Sequence, residues 1–222
     1  MPSSQHYHIS KIMDLIININ PMSILDIGTG FGKYGVLCRE YLELWDGRHN
    51  YSQFLRRIDG VEVFGDYITP LHKFVYNNIY VDDIMEVLDK IETKYDLILL
   101  IDVLEHFEKH QGEVLLQRIL RKNDGVLIST PKKPSSQKDA FGNVYETHRS
   151  EWTKGDLSSL APNLFINDRV SHIAYLGTNG NVTKLKRKHR LREVSKIPGV
   201  SFSMNRADRL IKKVNRMRNT IN

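Results

Sequence analysis

The sequence has very little cysteine, no long apolar run and no phosphate-loop motif, and each absence excludes a class of protein. The one cysteine among the 222 residues, Cys38, permits no intramolecular disulfide and fits a reducing compartment. The apolar stretch 12–19 includes Asp14 and Asn18 and is too short to span a bilayer. The Gly-Lys-Ser/Thr sequence of P-loop NTPases does not occur. Since no signal peptide is evident either, we expect a cytoplasmic protein without a transmembrane segment.

The basic residues are concentrated near the C-terminus. The formal net charge is +6, but residues 182–222 contain 13 Lys and Arg and only two acids, so residues 1–181 are mildly acidic. A segment of this kind can bind RNA or another anionic surface, here through residues 184–218, or it can be a solvated helical face. The charge pattern alone leaves both interpretations open.

The most informative stretch is LDIGTGFG at residues 25–32, where an apolar strand pattern ends in three alternating glycines and helical spacing follows. A strand that enters a helix through a glycine-rich turn is typical of a nucleotide-cofactor site, because the backbone can approach the ligand closely and the helix start offers free N–H groups. The third glycine of a dinucleotide motif would fall at Lys33, so a dinucleotide cofactor is not favoured.

Alternating strand and helix patterns continue along the chain. Strands are predicted at 23–27, 58–63, 79–81, 95–101 and 126–129, each followed by helical spacing. A loop at 131–150, a helix near 153–160, one strand at 165–175, a weaker strand at 200–204 and an amphipathic helix at 205–218 complete the prediction. Consecutive βα units predict an α/β, doubly wound parallel sheet with helices on both faces.

Acidic residues stand where strands two, three and four end: Glu62, the pair Asp82-Asp83, and Asp102 at the start of DVLEHF. Together with LDIGTGFG, this order resembles the class I S-adenosylmethionine (AdoMet)-dependent methyltransferases over about residues 22–175. The resemblance implies a seven-stranded, mostly parallel sheet whose last strand is antiparallel, with 200–204 as the candidate for that strand. Residues 1–181 would then form the Rossmann-like core, and residues 182–222 a basic extension that completes the sheet.

The cofactor has an ammonium, a carboxylate, a ribose diol and an adenine but no phosphate, so its site should contain acids. Asp26 can attract the ammonium, the glycine loop can meet the carboxylate, Glu62 can accept the ribose hydroxyls and Asp83 can accept from the adenine amino group. Asp82-Asp83 can equally be a helix N-cap. The predicted cofactor-binding residues are Asp26, Gly28, Thr29, Gly30, Gly32, Glu62, Phe64, Asp83, Ile84 and Asp102.

A base is needed only when the methyl acceptor has a high pKa, and the candidates are Glu105, His106 and His148. The set Asp102, Glu105, His106 and His148 is also similar to the divalent-metal site of the small-RNA 3′-terminal 2′-O-methyltransferases, although those have Glu where this chain has Asp102. We take the site without a metal as the main prediction and the metal site as the alternative.

The main functional hypothesis is methyl transfer from AdoMet to an oxygen or nitrogen of a small-molecule acceptor. The loop at 131–150 would line the acceptor pocket, with Phe141, Tyr145 and Trp152 as apolar surfaces. One alternative is a metal-assisted RNA ribose 2′-O-methyltransferase. The other is a methyltransferase-like binding module that uses its basic C-terminal segment.

Overall fold

A computed structural model of the chain describes residues 6–44, 53–133 and 136–195. In this part of the chain, seven strands form one sheet in the order β3-β2-β1-β4-β5-β7-β6. The strands are β1 Ser23–Ile27, β2 Arg57–Val61, β3 Asn78–Tyr80, β4 Leu97–Ile101, β5 Gly125–Pro131, β6 Asn163–Ile166 and β7 Ser171–Gly177. The helices are α1 Ile9–Ile19, α2 Lys33–Glu43, α3 Pro70–Val75, α4 Ile84–Lys90, α5 Lys109–Lys122, α6 Lys154–Leu160 and α7 Asn179–Ser195.

The first five strands are parallel, and β7 enters antiparallel between β5 and β6. The apolar β4 run LILLI is buried along its whole length, as expected for a central strand covered by helices on both faces. The switch from β1 to β4 places the sheet's topological reversal directly beside the glycine loop, which is where open α/β sheets bind ligands. The predicted fold class is confirmed.

Helices cover both faces of the sheet, and each face has its own apolar core. Residues of α1, α2 and α7 pack on one face, with Ile12, Cys38 and Leu185 among them. Residues of α4, α5 and α6 pack on the other face. Trp152 and Leu115 belong to this second core.

The prediction of one strand at 165–175 is wrong, because this stretch is a hairpin of β6 and β7. The turn is made by Asp168, whose carboxylate accepts hydrogen bonds from the backbone N–H groups of Val170 and Ser171 at 2.9 and 3.1 Å. Lys11 of α1 holds the same carboxylate at 2.7 Å. The antiparallel strand is therefore β7, and the sheet reaches seven strands by residue 177.

The predicted strand at 200–204 and the helix at 205–218 lie outside the described residues. The predicted boundary at 181/182 falls inside α7, whose Val182 and Leu185 are buried against the core. Within the described ranges, no helix combines the length and the apolar character needed to cross a bilayer.

Candidate active site

The glycine loop joins β1 to α2 at the carboxyl edge of the sheet. Gly28, Gly30 and Gly32 all have positive φ, at 72°, 52° and 83°, and side chains rarely tolerate this conformation. A Cβ atom on Gly28 would also lie 2.5 Å from Cγ2 of Val103. The loop is anchored to the next strand, since the N–H groups of Gly28 and Thr29 donate to the carbonyl of Val61.

Glu62 follows β2 directly and is bound to this loop. Its Oε2 accepts a hydrogen bond from the Gly30 N–H at 2.8 Å, and its Oε1 accepts from the Phe64 N–H at 3.1 Å. Glu62 is buried, and burial raises the pKa of its carboxyl group. Each carboxylate oxygen can accept two hydrogen bonds, so this arrangement is compatible with a further bond to a ribose hydroxyl.

Three predicted cofactor residues, Asp26, Gly32 and Phe64, do not line the cavity. Asp26 is 3% exposed and lies beneath the loop, where its Oδ2 accepts a hydrogen bond from the Tyr76 hydroxyl at 2.6 Å. Burial raises the pKa of Asp26 to about 6. Phe64 instead packs edge-on against Tyr67, with ring centroids 4.9 Å apart.

At the end of β3, Asp82 and Asp83 both line the cavity. Asp83 is the N-cap of α4, since its carboxylate accepts from the Met85 N–H at 2.8 Å. Asp82 forms an ion pair with Lys90 at 2.8 Å. Asp83 therefore acts as the predicted helix cap. Because Asp82 is paired with Lys90, Asp83 is the better placed of the two acids to bind a ligand. Ile84, the first residue of α4, adds an apolar surface to the same cavity.

These elements border one cavity of about 390 Å³ that follows the carboxyl edge of the sheet. It extends from Asp83 and Ile84 past Glu62 and the glycine loop to Asp102 and His106. The predicted site residues that line it are Gly28, Thr29, Gly30, Glu62, Asp83, Ile84, Asp102 and His106. Gly32, Glu105 and His148 do not line it, although Glu105 and His148 adjoin His106.

Asp102 directly follows β4 and has an unusual conformation, with φ 55°. Its Oδ1 accepts a hydrogen bond from the Ser129 hydroxyl at 2.7 Å, and its Oδ2 lies 3.5 Å from Nε2 of the fully buried His8. The His8 ring finds no hydrogen-bond partner within the described part of the chain. Asp102 thus brings a carboxylate to the cavity wall beside the loop, which Asp26 does not.

Glu105, His106 and His148 come together, with one potential ligand atom of each within 4.8 Å of the others. Burial lowers the pKa of His106 to about 4, so its ring is neutral at physiological pH. Because the Thr147 carbonyl, 3.2 Å from Nδ1, can only accept, Nδ1 carries the proton and Nε2 keeps a lone pair. Burial, with the nearby Asp102 charge, raises the pKa of Glu105 to about 8.

Comparison with known proteins decides the family. Residues 4–163, well over half of the chain, match a family described as a methyltransferase domain. The chain belongs to this methyltransferase family. A sequence search of curated proteins found no match for the methyltransferase. The resemblance to class I AdoMet-dependent methyltransferases is confirmed by the family match and by the sheet order.

Solved structures share the fold of the methyltransferase. The N-terminal domain of EvdMO1 with SAH bound aligns with a TM-score of 0.55 at 13% identity, covering 79% of this chain and 82% of that one. An O-methyltransferase family protein from Burkholderia thailandensis gives 0.55 at 11% identity, covering 77% of this chain and 55% of that one. At these identities the likeness establishes the fold.

Sequence reasoning missed some residues of the methyltransferase site and misplaced another. Trp152 was predicted to line the acceptor pocket, but it is fully buried in the core and Tyr145 alone of the three predicted aromatic residues lines the cavity. Phe31, in the glycine loop, also lines it. His72 and Tyr76 of the α3 region lie under the loop, and no sequence motif marks them because their partners are more than 40 residues away.

Proposed function

We propose that this methyltransferase binds AdoMet in the cavity and transfers its methyl group to an oxygen or nitrogen of a small molecule. The observation that carries the proposal is the single cavity that connects the glycine loop, Glu62, Asp83 and His106. Its polar groups follow the order of the cofactor's own parts, and among the lining residues that the structure describes, carboxylates outnumber the two cations Lys33 and Arg149. Bound AdoMet supplies a methyl group on a positively charged sulfur.

In this proposal, Asp83 and Ile84 hold the adenine, Glu62 holds the ribose, and the N–H groups of the glycine loop face the methionyl carboxylate. Asp102, a carboxylate on the cavity wall, attracts the methionyl ammonium more directly than the buried Asp26. The remaining predicted contacts of Thr29, Gly32 and Phe64 stay predictions.

The acceptor would bind at the His106 end of the cavity. The neutral His106 ring can take the proton from an acceptor hydroxyl or amine through Nε2 as the nucleophile attacks. The nearby Asp102 carboxylate would stabilise the imidazolium that results. Glu105 and His148 are placed to orient the ring, since both lie against it. Tyr145 and Phe31 add aromatic surface to the same cavity, which suits a small organic acceptor.

The test is calorimetric titration of the full chain with S-adenosylhomocysteine, the product form of the cofactor. Glu62→Ala should weaken binding by roughly 10- to 100-fold, the range for losing hydrogen bonds to a charged group. Glu40→Gln, at an exposed acid on α2, is the matched control and should bind as the wild type does. Unchanged affinity in Glu62→Ala would overturn the assignment of the site.

A second candidate function has one observation in its favour, the convergence of three of the four predicted metal ligands. His106 has the arrangement of a metal-binding histidine, since Nδ1 donates to the Thr147 carbonyl and Nε2 keeps its lone pair. Asp102 is not part of this cluster. A divalent ion at Glu105, His106 and His148 would favour a ribose diol as acceptor. Calorimetric titration with Mn²⁺ separates the two functions: binding that is lost in His148→Ala supports this candidate, and no binding rejects it.

For the basic segment, we propose that α7 contributes to binding an anionic partner, RNA being the form to test first. Its exposed side chains include Lys184, Lys186, Arg187 and Arg190. Lys188 and Arg192 instead contact α1, through the Asn18 carbonyl and Asp14. Replacing the four exposed cations by Gln should weaken binding of single-stranded RNA and reduce its salt dependence. Equal salt dependence in the variant and the wild type would contradict this role.

A further inference from the structure

Two aromatic rings from the α3 region lie directly beneath the glycine loop. His72 and Tyr76 are four residues apart, so they lie on one side of the chain, and their rings are stacked with centroids 5.9 Å apart. His72 is completely buried and Tyr76 is 5% exposed. Neither ring lines the cavity, and the cofactor site proposed above uses neither of them.

Glycines of α2, β2 and the loop lie against these rings. A Cβ atom on Gly35 would lie 2.4 Å from Cζ of Tyr76, and one on Gly60 would lie 3.1 Å from its Cδ1. One on Gly32 would meet Nε2 of His72 at 3.6 Å. Glycines in β2 and α2, as well as at the end of the loop, are therefore packed against the same two rings, which makes the pair an integral support of the loop.

The hydrogen bonds of His72 determine which of its nitrogens carries the proton. The backbone N–H of Thr69 donates to Nδ1 at 3.1 Å, so Nδ1 has no proton. In the neutral ring the proton is then on Nε2, which lies 2.9 Å from the Gly30 carbonyl and donates to it. One nitrogen of His72 thus caps α3, and the other holds the cofactor loop.

Gly30 is consequently fixed on both sides of its α-carbon. Its carbonyl accepts from His72, and its N–H donates to Glu62 at 2.8 Å. Its φ of 52° is one of several conformations that a free glycine adopts with similar ease. Holding it in this one before the ligand arrives removes an ordering cost from binding.

We infer that His72 is a positioning residue for the cofactor, which acts through the Gly30 carbonyl and sets the loop in its binding conformation. The inference rests on the proposed function, because it assigns the loop to the cofactor. This positioning role differs from a purely structural one in one respect: the hydrogen bond from His72 to Gly30, and not the cap on α3, controls the affinity for the cofactor.

Two substitutions separate the two bonds of His72. Asn places a carbonyl oxygen where Nδ1 lies, so His72→Asn keeps an acceptor for the Thr69 N–H and loses the donor to Gly30. Gln reaches the position of Nε2, so His72→Gln keeps a donor for Gly30 and loses the cap. We expect calorimetry with S-adenosylhomocysteine to show roughly tenfold weaker binding for His72→Asn, the factor of about one hydrogen bond, and near wild-type binding for His72→Gln.

The opposite order, with His72→Gln binding weakly and His72→Asn binding normally, would overturn the inference, as would equal affinities. If the wild-type chain does not bind S-adenosylhomocysteine at all, the proposed function fails and the inference fails with it. Should either variant not fold, ¹⁵N NMR of the His72 ring in the wild-type protein decides the matter. Protonation on Nε2 alone supports the inference, and a proton on Nδ1 contradicts it.

Discussion

Asp26 is a buried carboxyl group whose affinity for a proton changes when the chain folds. Burial raises its pKa from an ordinary value near 3.8 to about 6, although the Tyr76 hydroxyl partly offsets the effect. The folded state therefore binds this proton more tightly than the unfolded state. Its contribution to stability is fully present below about pH 4 and is lost as the pH rises through 6.

We predict that Asp26→Asn removes this dependence, because Asn keeps an oxygen for the Tyr76 hydroxyl but cannot ionise. The free energy of unfolding of the wild type, relative to the variant, should fall by up to about 3 kcal/mol between pH 4 and pH 7. Urea unfolding at several pH values measures it, and Asp66→Asn, at an exposed acid, subtracts the general effect of removing a charge. A constant difference between wild type and Asp26→Asn would contradict the prediction.

Some site residues could be predicted one by one from the sequence, and others could not. Glu62, Asp83 and Asp102 stand at strand ends, and the carboxyl ends of parallel strands meet at one edge, so strand prediction was enough to bring them together. The role of His72 could not be predicted from strand ends, because its partner Gly30 is 42 positions away and the contact depends on how α3 packs.

At the level of the element, α2 packs closely against Tyr76 of the α3 region because Gly35 of α2 has no side chain. Gly→Ala inside a helix normally stabilises it by up to about 1 kcal/mol. We predict that Gly35→Ala instead destabilises the protein by about 1–3 kcal/mol, because the new methyl group would lie 2.4 Å from the Tyr76 ring. Gly180→Ala in α7 is the matched control, since nothing lies within 4 Å of its added Cβ, and it should be neutral or slightly stabilising. Urea unfolding compares them; equal effects would contradict the prediction.

The β6–β7 hairpin shows where element prediction failed. Five strands were predicted because each is a separate apolar run before a helix, whereas residues 165–175 have no glycine or proline to mark a turn. The turn depends on contacts of Asp168 with the backbone and with Lys11, 157 positions earlier. Only the tertiary structure supplies that partner.

The same carboxylate makes the hairpin sensitive to acid. Burial disfavours the charged form of Asp168, but the hydrogen bonds from Lys11 and the backbone outweigh it and lower its pKa to about 2. We predict that Asp168→Asn destabilises the protein by about 1–2 kcal/mol above pH 4. Because the folded pKa is depressed, the difference should vanish as the pH falls from about 4 to 2. Thermal unfolding across this range measures it, and a difference that persists at pH 2 would contradict the prediction.

For the whole molecule, the cavity lies between elements that fold as one sheet, so a bound ligand should stabilise the entire unit. At a concentration 100 times its dissociation constant, S-adenosylhomocysteine should add about 2.7 kcal/mol to the stability of the folded state. For a chain of this length, this corresponds to a rise in melting temperature of roughly 5–10 °C. ATP should give a much smaller rise, because Glu62, Asp83 and Asp102 on the cavity wall disfavour a triphosphate. Equal shifts with both ligands would contradict the prediction.

The antiparallel pairing of α1 with α7 has a practical consequence. Lys188 contacts Asn18 and Arg192 pairs with Asp14, so α7 runs back along α1 towards the edge of the sheet where His8 meets Asp102. The described chain therefore starts and stops on the side of the molecule where the cavity opens. A fluorescent probe inserted at the turn around Asp124, on the opposite edge of the sheet, would leave the entrance of the cavity clear.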